Sequence, residues 1–235
     1  MKNIIIASTS TVHGTGYLAY ILDELKVFFQ DVKTILFIPY ARPSGISHDE
    51  YTEKVNDTFN KIDKNVQGIH AFNNPAEAIE KAEAIFVGGG NTFVLLNQLY
   101  KLNLIADLKK VVSEGTPYLG TSAGSNICGL TIKNTNDMPI VYPPDFNALG
   151  FVPFNINPHY LDPDRTSTHM GETRETRIKE FHCYNTQPVI GLREGSWLHV
   201  EGDSIILKGP LSARVFEYEK APYEVMPKKE LNTLK

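Results

Sequence analysis

One serine lies between two glycines directly after an apolar run, where residues 118–129 read YLGTSAGSNICG. Gly120, Ser122 and Gly124 form a G-x-S-x-G pattern, which marks the nucleophile elbow of many serine hydrolases when it joins a strand to a helix. The glycines permit a tight turn that exposes the serine hydroxyl and leaves the Ala123 N–H free to stabilise an oxyanion. The same residues also fit a simpler arrangement in which Ser122 only caps a helix.

A second glycine-rich loop lies at residues 86–96, with the sequence FVGGGNTFVLL. Its backbone N–H groups at Gly89 or Gly90 can supply the other half of an oxyanion hole. The loop can instead cradle a phosphate, although it has neither the Walker lysine nor G-x-G-x-x-G spacing. A third interpretation is a tight turn in which Asn91 or Thr92 caps the following helix.

A serine nucleophile needs a general base, and the chain contains seven histidines. His159 is favoured because the stretch INPHYLDP places it in a loop stiffened by proline and aromatic residues, where a polar side chain can be held rigidly. His13 and His169 also lie in loops and are weaker candidates. Histidines in strand-like or acidic helical stretches suit structural or solvated roles better.

Apolar runs alternate with helical patterns over the first half of the chain. The runs cover residues 3–8, 34–39, 84–89 and 117–122, and the helical patterns cover 16–30, 49–62, 75–82 and 91–115. Near-continuous hydrophobicity is typical of parallel strands that are buried on both faces. The alternation therefore predicts an α/β protein with a doubly wound, mostly parallel sheet and helices on both faces.

The character of the sequence changes after residue 130. Residues 131–171 are rich in Pro, Asn and Asp, which predicts a long, mostly irregular segment with short strands; such segments are usually functional or disordered, and the aromatic content here argues against disorder. A helix is predicted at about 172–184. Residues 188–219 alternate between apolar and polar, which predicts antiparallel strands at the edge of the sheet. We find no repeat or linker, and we expect one domain spanning 1–235.

The composition restricts the class of partner. The chain has 23 basic and 27 acidic residues and a net charge of -4, which argues against a nucleic-acid-binding surface. Cys128 and Cys183 lack metal-ligand spacing, so we expect a reducing compartment and neither a zinc site nor a disulfide. The apolar run at the N-terminus is too short for a signal peptide or a membrane span. These features predict a cytoplasmic protein without nucleic-acid or membrane partners.

Three stretches taken together resemble a known family. GTSAGSN, INPHYLDP and GLREGSWL are similar, in order, to the three catalytic segments of the peptidase E family of α-aspartyl dipeptidases. The stretches FVGGGNTF, TNDMPI and HMGETRETRIKEF also resemble that family, and the similarity extends beyond residue 210. The resemblance implies a fold related to class I glutamine amidotransferases, no metal or other cofactor, and a serine peptidase that hydrolyses dipeptides with an N-terminal aspartate (Asp-X).

Carried over residue by residue, the resemblance implies Ser122 as nucleophile, His159 as general base and Glu194 as the acid that orients the imidazole. Asp137 is an alternative acid that the family pattern also contains. Glu194 directly follows the strand-like PVIGLR, which can aim it, although an ion pair with the adjacent Arg193 is the simpler interpretation. The order Ser, His, acid differs from that of α/β-hydrolases and counts against that fold, while the chemistry depends on geometry alone.

Specificity for aspartate requires a cation, because a buried carboxylate must be paired. In the stretch GETRETRIKEFHCYN, a single helical face holds two arginines and two apolar residues, namely Arg174, Arg177, Ile178 and Phe181. Arg174 is the first choice for binding the substrate carboxylate, and Arg177 is the second. A structural salt bridge with Asp162 or Asp164 is the competing interpretation.

Loops at the ends of strands offer further contacts. Asn91 and Thr92 are candidates for polar contacts with the dipeptide. Arg42 and His13 are further, lower-ranked candidates for binding the substrate. Two other functions fit the same residues. One is a cyanophycinase-like hydrolase that acts on β-linked aspartyl material; the other is a non-catalytic module whose glycine-rich loops bind an anion.

Overall fold

The computed structural model describes residues 1–164, 166, 168, 170–232 and 234. Its strands are, in chain order, β1 (Asn3–Ala7), β2 (Thr34–Ile38), β3 (Asn65–Gly68), β4 (Ala84–Val87), β5 (Tyr118–Thr121), β6 (Asn155–Pro158), β7 (Val189–Leu192), β8 (Trp197–Glu201), β9 (Ser204–Lys208), β10 (Ala213–Phe216) and β11 (Tyr223–Val225). Seven of them form the main sheet, in the order β3-β2-β4-β5-β1-β8-β9. Strands β1 to β5 pair in parallel, whereas β8 pairs antiparallel with β1 and β9 pairs antiparallel with β8.

The helices are α1 (Leu22–Phe28), α2 (His48–Phe59), α3 (Pro75–Glu80), α4 (Thr92–Lys101), α5 (Ile105–Glu114), α6 (Ala123–Asn126) and α7 (Arg174–His182), with 3-10 turns at Asn60–Ile62 and Ile69–Ala71. The prediction of a single helix over 91–115 is wrong, because α4 ends at Lys101 and a separate helix, α5, begins at Ile105. Asn103 adopts a left-handed conformation there, with φ 57°. Asparagine tolerates that conformation better than most residues, and the periodicity of the flanking helices does not reveal the break.

Both faces of the main sheet are buried, as the hydrophobic pattern predicts. In β1, Ile4 and Ile6 face one core while Ile5 and Ala7 face the other. Buried side chains of α3, α4 and α5 pack in the first core, and those of α1 and α2 pack in the second. The doubly wound α/β prediction is therefore confirmed.

A second, four-stranded sheet was not predicted, and its order is β11-β10-β7-β6. The alternating stretch at 188–219 contains strands of both sheets: β8 and β9 form the expected antiparallel edge, whereas β7 and β10 belong to the second sheet. β6 arises from the stretch predicted as mostly irregular and pairs in parallel with β7. Alternation identifies a strand but not its partner, so the division between sheets depends on tertiary contacts.

The parallel strands β1, β4 and β5 are neighbours and end at the same edge of the main sheet. Ligands of open α/β sheets bind in the crevice outside the carboxyl ends of such strands. The glycine loop after β4 and the serine after β5 both lie at this edge. In the described part of the chain, no helix has the length and apolar character needed to cross a membrane.

Candidate active site

Ser122 is held in a strained turn between β5 and α6. Its backbone has φ 53° and ψ -110°, which is rare for a residue other than glycine and is typical of functional positions that the surrounding structure must enforce. The flanking glycines explain how the turn closes. A Cβ at Gly120 would lie 2.5 Å from the carbonyl oxygen of Gly124, and a Cβ at Gly124 would collide with the backbone of Val87. Both glycines are therefore required by the packing.

We expect Gly124→Ala to lower the free energy of unfolding by about 1–3 kcal/mol or more, because the added methyl group would overlap a backbone carbonyl of β4 that cannot move away. Chemical denaturation measures the loss. Gly16→Ala is the matched control, since a Cβ there lies 3.8 Å from the side chain of Ala19 and meets no backbone. Equal stabilities of the two variants would contradict this account of the elbow.

His159 directly follows β6 and is positioned by a serine that sequence reasoning missed. The His159 N–H donates to the Ser8 Oγ at 2.9 Å, and the Ser8 hydroxyl donates to the carbonyl of Leu192 at 2.6 Å. Ser8 is fully buried at the end of β1, so it joins the main sheet to both β6 and β7. The available signal was a serine that ends a buried strand at the edge where the site lies.

A continuous hydrogen-bonded chain joins three side chains from different elements. The Nε2 atom of His159 lies 2.8 Å from the Ser122 Oγ, and its Nδ1 atom lies 2.6 Å from the Glu194 Oε1. With the Nδ1 proton donated to the carboxylate, Nε2 is free to accept the serine proton. Ser122 occupies the N-cap position of α6, but its hydroxyl contacts His159 and makes no capping hydrogen bond within the described residues.

Glu194 is not paired with the neighbouring arginine. Arg193 turns away and binds Asp162 at 2.7 Å and Glu224 at 2.9 Å. The hydrogen bonds that the Arg193 guanidinium donates to these two carboxylates raise its pKa. Asp162 is thus engaged with Arg193, and within the described residues no ion pair joins it to Arg174.

Asp137, the alternative acid, lies at the start of α4 and not at His159. Its Oδ2 accepts the N–H of Thr92 at 2.7 Å. Asn91 caps the same helix by accepting the Val94 N–H at 3.1 Å, and its amide donates to the carbonyl of Met138 at 2.9 Å. The segment that contains Asp137 therefore clamps the glycine loop, and Glu194 is the acid that contacts Nδ1 of His159.

The glycine loop lies directly against the serine. A Cβ at Gly89 would lie 3.0 Å from the Cβ of Ser122, so a side chain there would crowd the nucleophile position. The Gly89 N–H donates to the Tyr51 hydroxyl at 3.1 Å and is not available to an oxyanion. Within the described residues, the N–H groups of Gly90 and Ala123 have no hydrogen-bond partner.

A small cavity of about 160 Å³ adjoins the serine, and its lining includes Ser122, Ala123, His159, Thr92, Asp137 and Arg174. Arg174 begins α7. Burial and the nearby Arg177 lower the pKa of the Arg174 guanidinium, while Asp137 acts in the opposite direction. Arg177 is 51% exposed, lies 3.7 Å from Glu172 and is not part of the lining. The structure thus brings the first-choice arginine to the cavity and leaves the second outside it.

The remaining candidates lie elsewhere. His13 is exposed, and Arg42 lines a different cavity, where its guanidinium lies 5.5 Å from the ring centre of Tyr51. His169 lies outside the described residues. Among the residues that the structure describes, no three His, Cys, Asp or Glu side chains are grouped as metal ligands.

Comparison with known proteins identifies the family. The model of Peptidase family S51 matches residues 4–208. The chain belongs to peptidase family S51. Over 99% of its length, this S51 chain is 45% identical to a probable alpha-aspartyl dipeptidase of Drosophila melanogaster, of which the match covers 97%. It is 47% identical to Peptidase E of Streptomyces coelicolor, with 99% of this chain and 94% of the relative covered.

Solved structures share the fold of this S51 chain. A putative peptidase E protein from Listeria monocytogenes EGD-e matches with a TM-score of 0.66 and 22% identity, covering 89% of this chain and 98% of the other. A peptidase from an acI-B1 Actinobacterium matches with a TM-score of 0.73 and 15% identity, covering 98% and 96%. At these identities the similarity supports the architecture, including the mostly parallel main sheet.

Proposed function

We propose that this S51 chain is a serine dipeptidase that hydrolyses Asp-X dipeptides, with Ser122 as nucleophile, His159 as general base and Glu194 as the orienting acid. The observation that carries the proposal is the hydrogen-bonded chain, in which the imidazole of His159 lies 2.8 Å from the serine and 2.6 Å from the glutamate. The names of the Drosophila and Streptomyces relatives support the substrate class.

The reaction proceeds through an acyl-enzyme. The Ser122 Oγ attacks the carbonyl carbon of the aspartyl residue while its proton passes to Nε2 of His159. When the C–N bond breaks, the same proton moves to the departing amine. A water molecule then attacks the ester carbonyl and gives a proton to His159. The bond between the acyl carbon and Oγ breaks, Ser122 takes that proton from His159, and aspartate is released. The carboxylate of Glu194 holds the imidazole in place and stabilises the imidazolium in both steps.

Two backbone groups are assigned to the oxyanion hole. The N–H of Ala123 follows the nucleophile, and the N–H of Gly90 comes from the loop packed against it. Gly89, the other candidate, instead leaves space beside Ser122. Each oxyanion donor typically contributes about 10²–10³-fold to turnover. The mechanism needs no metal or other cofactor, because His159 moves the protons and the backbone stabilises the oxyanion.

The cavity provides charges that match both ends of an N-terminal aspartate. Arg174 is assigned to the side-chain carboxylate and Asp137 to the free α-ammonium group. The volume of about 160 Å³ is below the roughly 300–1,000 Å³ of pockets for drug-sized ligands. Thr92 adds a hydroxyl to the lining, whereas Asn91 is occupied as the cap of α4. A small cavity with one cation and one anion suits a single terminal aspartyl residue.

We expect Arg174→Gln to lower kcat/KM for Asp-Leu about 100-fold, because the substrate carboxylate would lose its charged partner in a partly buried site. Hydrolysis of Asn-Leu would change little, so the preference for aspartate would collapse. Arg177→Gln is the matched control on the same helix, since this arginine points to solvent near Glu172. A collapse of the preference in Arg177→Gln but not in Arg174→Gln would contradict the assignment.

Two assays separate this function from its alternatives. Parallel hydrolysis of α-linked and β-linked Asp-Leu distinguishes the dipeptidase from a cyanophycinase-like hydrolase, and we expect cleavage of the α-linked substrate. A serine-directed fluorophosphonate distinguishes either enzyme from a non-catalytic anion-binding module. We expect stoichiometric labelling at Ser122. If the serine stays unlabelled and the substrate stays intact, the chain is not a serine hydrolase.

We further propose that residues 1–235 act as one catalytic domain in the cytoplasm, with small peptides as partners and neither nucleic acid nor membranes. The single-domain proposal is supported by one core cluster that contains side chains of both sheets, including Ile6 and Ile190. The location is supported by two free thiols, Cys128 and Cys183, as expected in a reducing compartment.

A further inference from the structure

A second cavity, of about 250 Å³, opens at the same edge of the main sheet. Its walls come from the segment after β1, the segment after β2 and helix α2, and they include Ser10, Thr11, Tyr17, Arg42, Tyr51 and Lys54. The tyrosines pack in the core that α1 and α2 cover, whereas the cavity around Arg174 adjoins the helices of the opposite core. The two cavities thus lie on opposite sides of the β4 and β5 ends.

This second cavity carries unmatched positive charge. The guanidinium of Arg42 lies 5.5 Å from the ring centre of Tyr51, and the Lys54 ammonium lies 5.4 Å from that of Tyr17. The lining contains no acidic residue, and within the described residues neither cation has a carboxylate partner. Arg193, by contrast, has two carboxylate partners. In a chain of net charge -4, such a cavity attracts a small anion.

Hydroxyl groups in the wall add hydrogen-bond donors. The pKa of the Tyr17 hydroxyl is raised, mainly by burial. The hydroxyl therefore stays protonated at neutral pH and can donate a hydrogen bond. Ser10 and Thr11 supply further hydroxyls. Two cations together with several O–H donors are the chemistry that recognises a carboxylate.

One wall of the cavity is connected to the nucleophile through a single residue. The Tyr51 hydroxyl accepts the Gly89 N–H at 3.1 Å. Gly89 in turn lies so close to Ser122 that a Cβ on it would be 3.0 Å from the serine Cβ. A ligand bound against Tyr51 is therefore near the reacting carbonyl.

The opposite wall is connected to the general base. Ser8 holds the backbone of His159 at 2.9 Å, and Ser10 and Thr11 follow it in the same segment. Tyr20 ties this segment down by donating to the carbonyl of Thr9 at 2.6 Å. Because His159 gives its proton to the departing amine, the leaving residue must lie on this side of the scissile bond.

We propose that the cavity lined by Arg42 and Lys54 binds the α-carboxylate of residue X, the residue that leaves from an Asp-X dipeptide. This assignment rests on the proposed dipeptidase function. The carboxylate of X is separated from the scissile carbonyl by one nitrogen and one Cα, so it lies within about 4 Å of the reacting carbon. Each added residue moves the terminal carboxylate outward by about 3.5 Å. The cavity therefore selects dipeptides over longer peptides.

The test compares kcat/KM for Asp-Leu with that for Asp-Leu amide, which lacks only the terminal charge. We expect the wild-type protein to prefer the free acid about tenfold or more, as one charged contact typically provides. We expect the double variant Arg42→Gln/Lys54→Gln to lose most of that preference, because its kcat/KM for Asp-Leu falls while that for Asp-Leu amide stays the same. Lys61→Gln, an exposed lysine in the 3-10 turn after α2, is the matched control and keeps it.

The possible outcomes distinguish failure of the carboxylate site from failure of the proposed dipeptidase function. If wild type cleaves both substrates but the double variant keeps the full preference for the acid, the carboxylate site is wrong and the dipeptidase stands. If wild type cleaves both equally, the cavity does not sense the carboxylate and the inference also fails. If neither substrate is cleaved, both the dipeptidase function and the carboxylate site are wrong. Because both replaced side chains are exposed, thermal unfolding of the variant is expected to match wild type and to confirm that it folds.

Discussion

Replacing Ser122 with alanine is expected to lower kcat/KM for Asp-X dipeptides by about 10⁴-fold or more, the scale seen when serine proteases lose their nucleophile. The reason is that the hydroxyl is both the attacking atom and the donor to His159, at 2.8 Å. Alanine keeps the backbone, the glycines and the other residues of the cavity lining, so substrate binding would persist while acyl-enzyme formation stops. Steady-state kinetics and fluorophosphonate labelling measure the two consequences separately.

The matched control for that substitution is Ser113→Ala, on the exposed surface of α5. We expect it to leave both turnover and labelling unchanged. Turnover that persists in Ser122→Ala would show that another group attacks the carbonyl. It would remove the acyl-enzyme mechanism together with the assigned roles of His159 and Glu194.

The second large effect is expected for Glu194→Gln, with kcat/KM falling about 10³–10⁴-fold. The neutral amide removes the charge that stabilises the imidazolium. Its NH₂ group can also donate to Nδ1, which leaves the proton on Nε2, where it blocks acceptance of the serine proton. The close contact of 2.6 Å between Nδ1 and the Glu194 carboxylate makes His159 sensitive to this change. The rate of fluorophosphonate labelling reports the loss independently of dipeptide binding.

Asp137→Asn is the informative comparison, because the two acids have different assigned roles. Asp137 contacts the start of α4 and lines the cavity, where it is assigned to the ammonium group of the substrate. We expect this variant to raise KM for Asp-X while reacting with a fluorophosphonate, which has no amino group, at the wild-type rate. Slow labelling in Asp137→Asn and normal labelling in Glu194→Gln would reverse the assignments.

Residue types and their periodicity are sufficient to predict the local features of the chain. The need for glycine at positions 120 and 124 is a steric property of a tight strand-to-helix turn, so it is visible in the residue types. The buried parallel strands are visible because covering both faces of a sheet removes the usual alternation. The predicted α/β class and the predicted family, now confirmed as S51, both depend on local motifs that follow one another in a fixed order along the chain.

Contacts between distant residues depend instead on how the helices and strands pack. Glu194 and Asp137 both fitted the acid position, and only the packing of β7 beside β6 brings Glu194 to Nδ1 of His159. Arg174 and Arg177 share a helical pattern, yet only Arg174 reaches the cavity. The second sheet left no clear local signal, and the position of Ser8 after a buried strand does not show that it contacts His159. Periodicity and residue type reflect the conformation of one segment, whereas an active site depends on the relative placement of several segments.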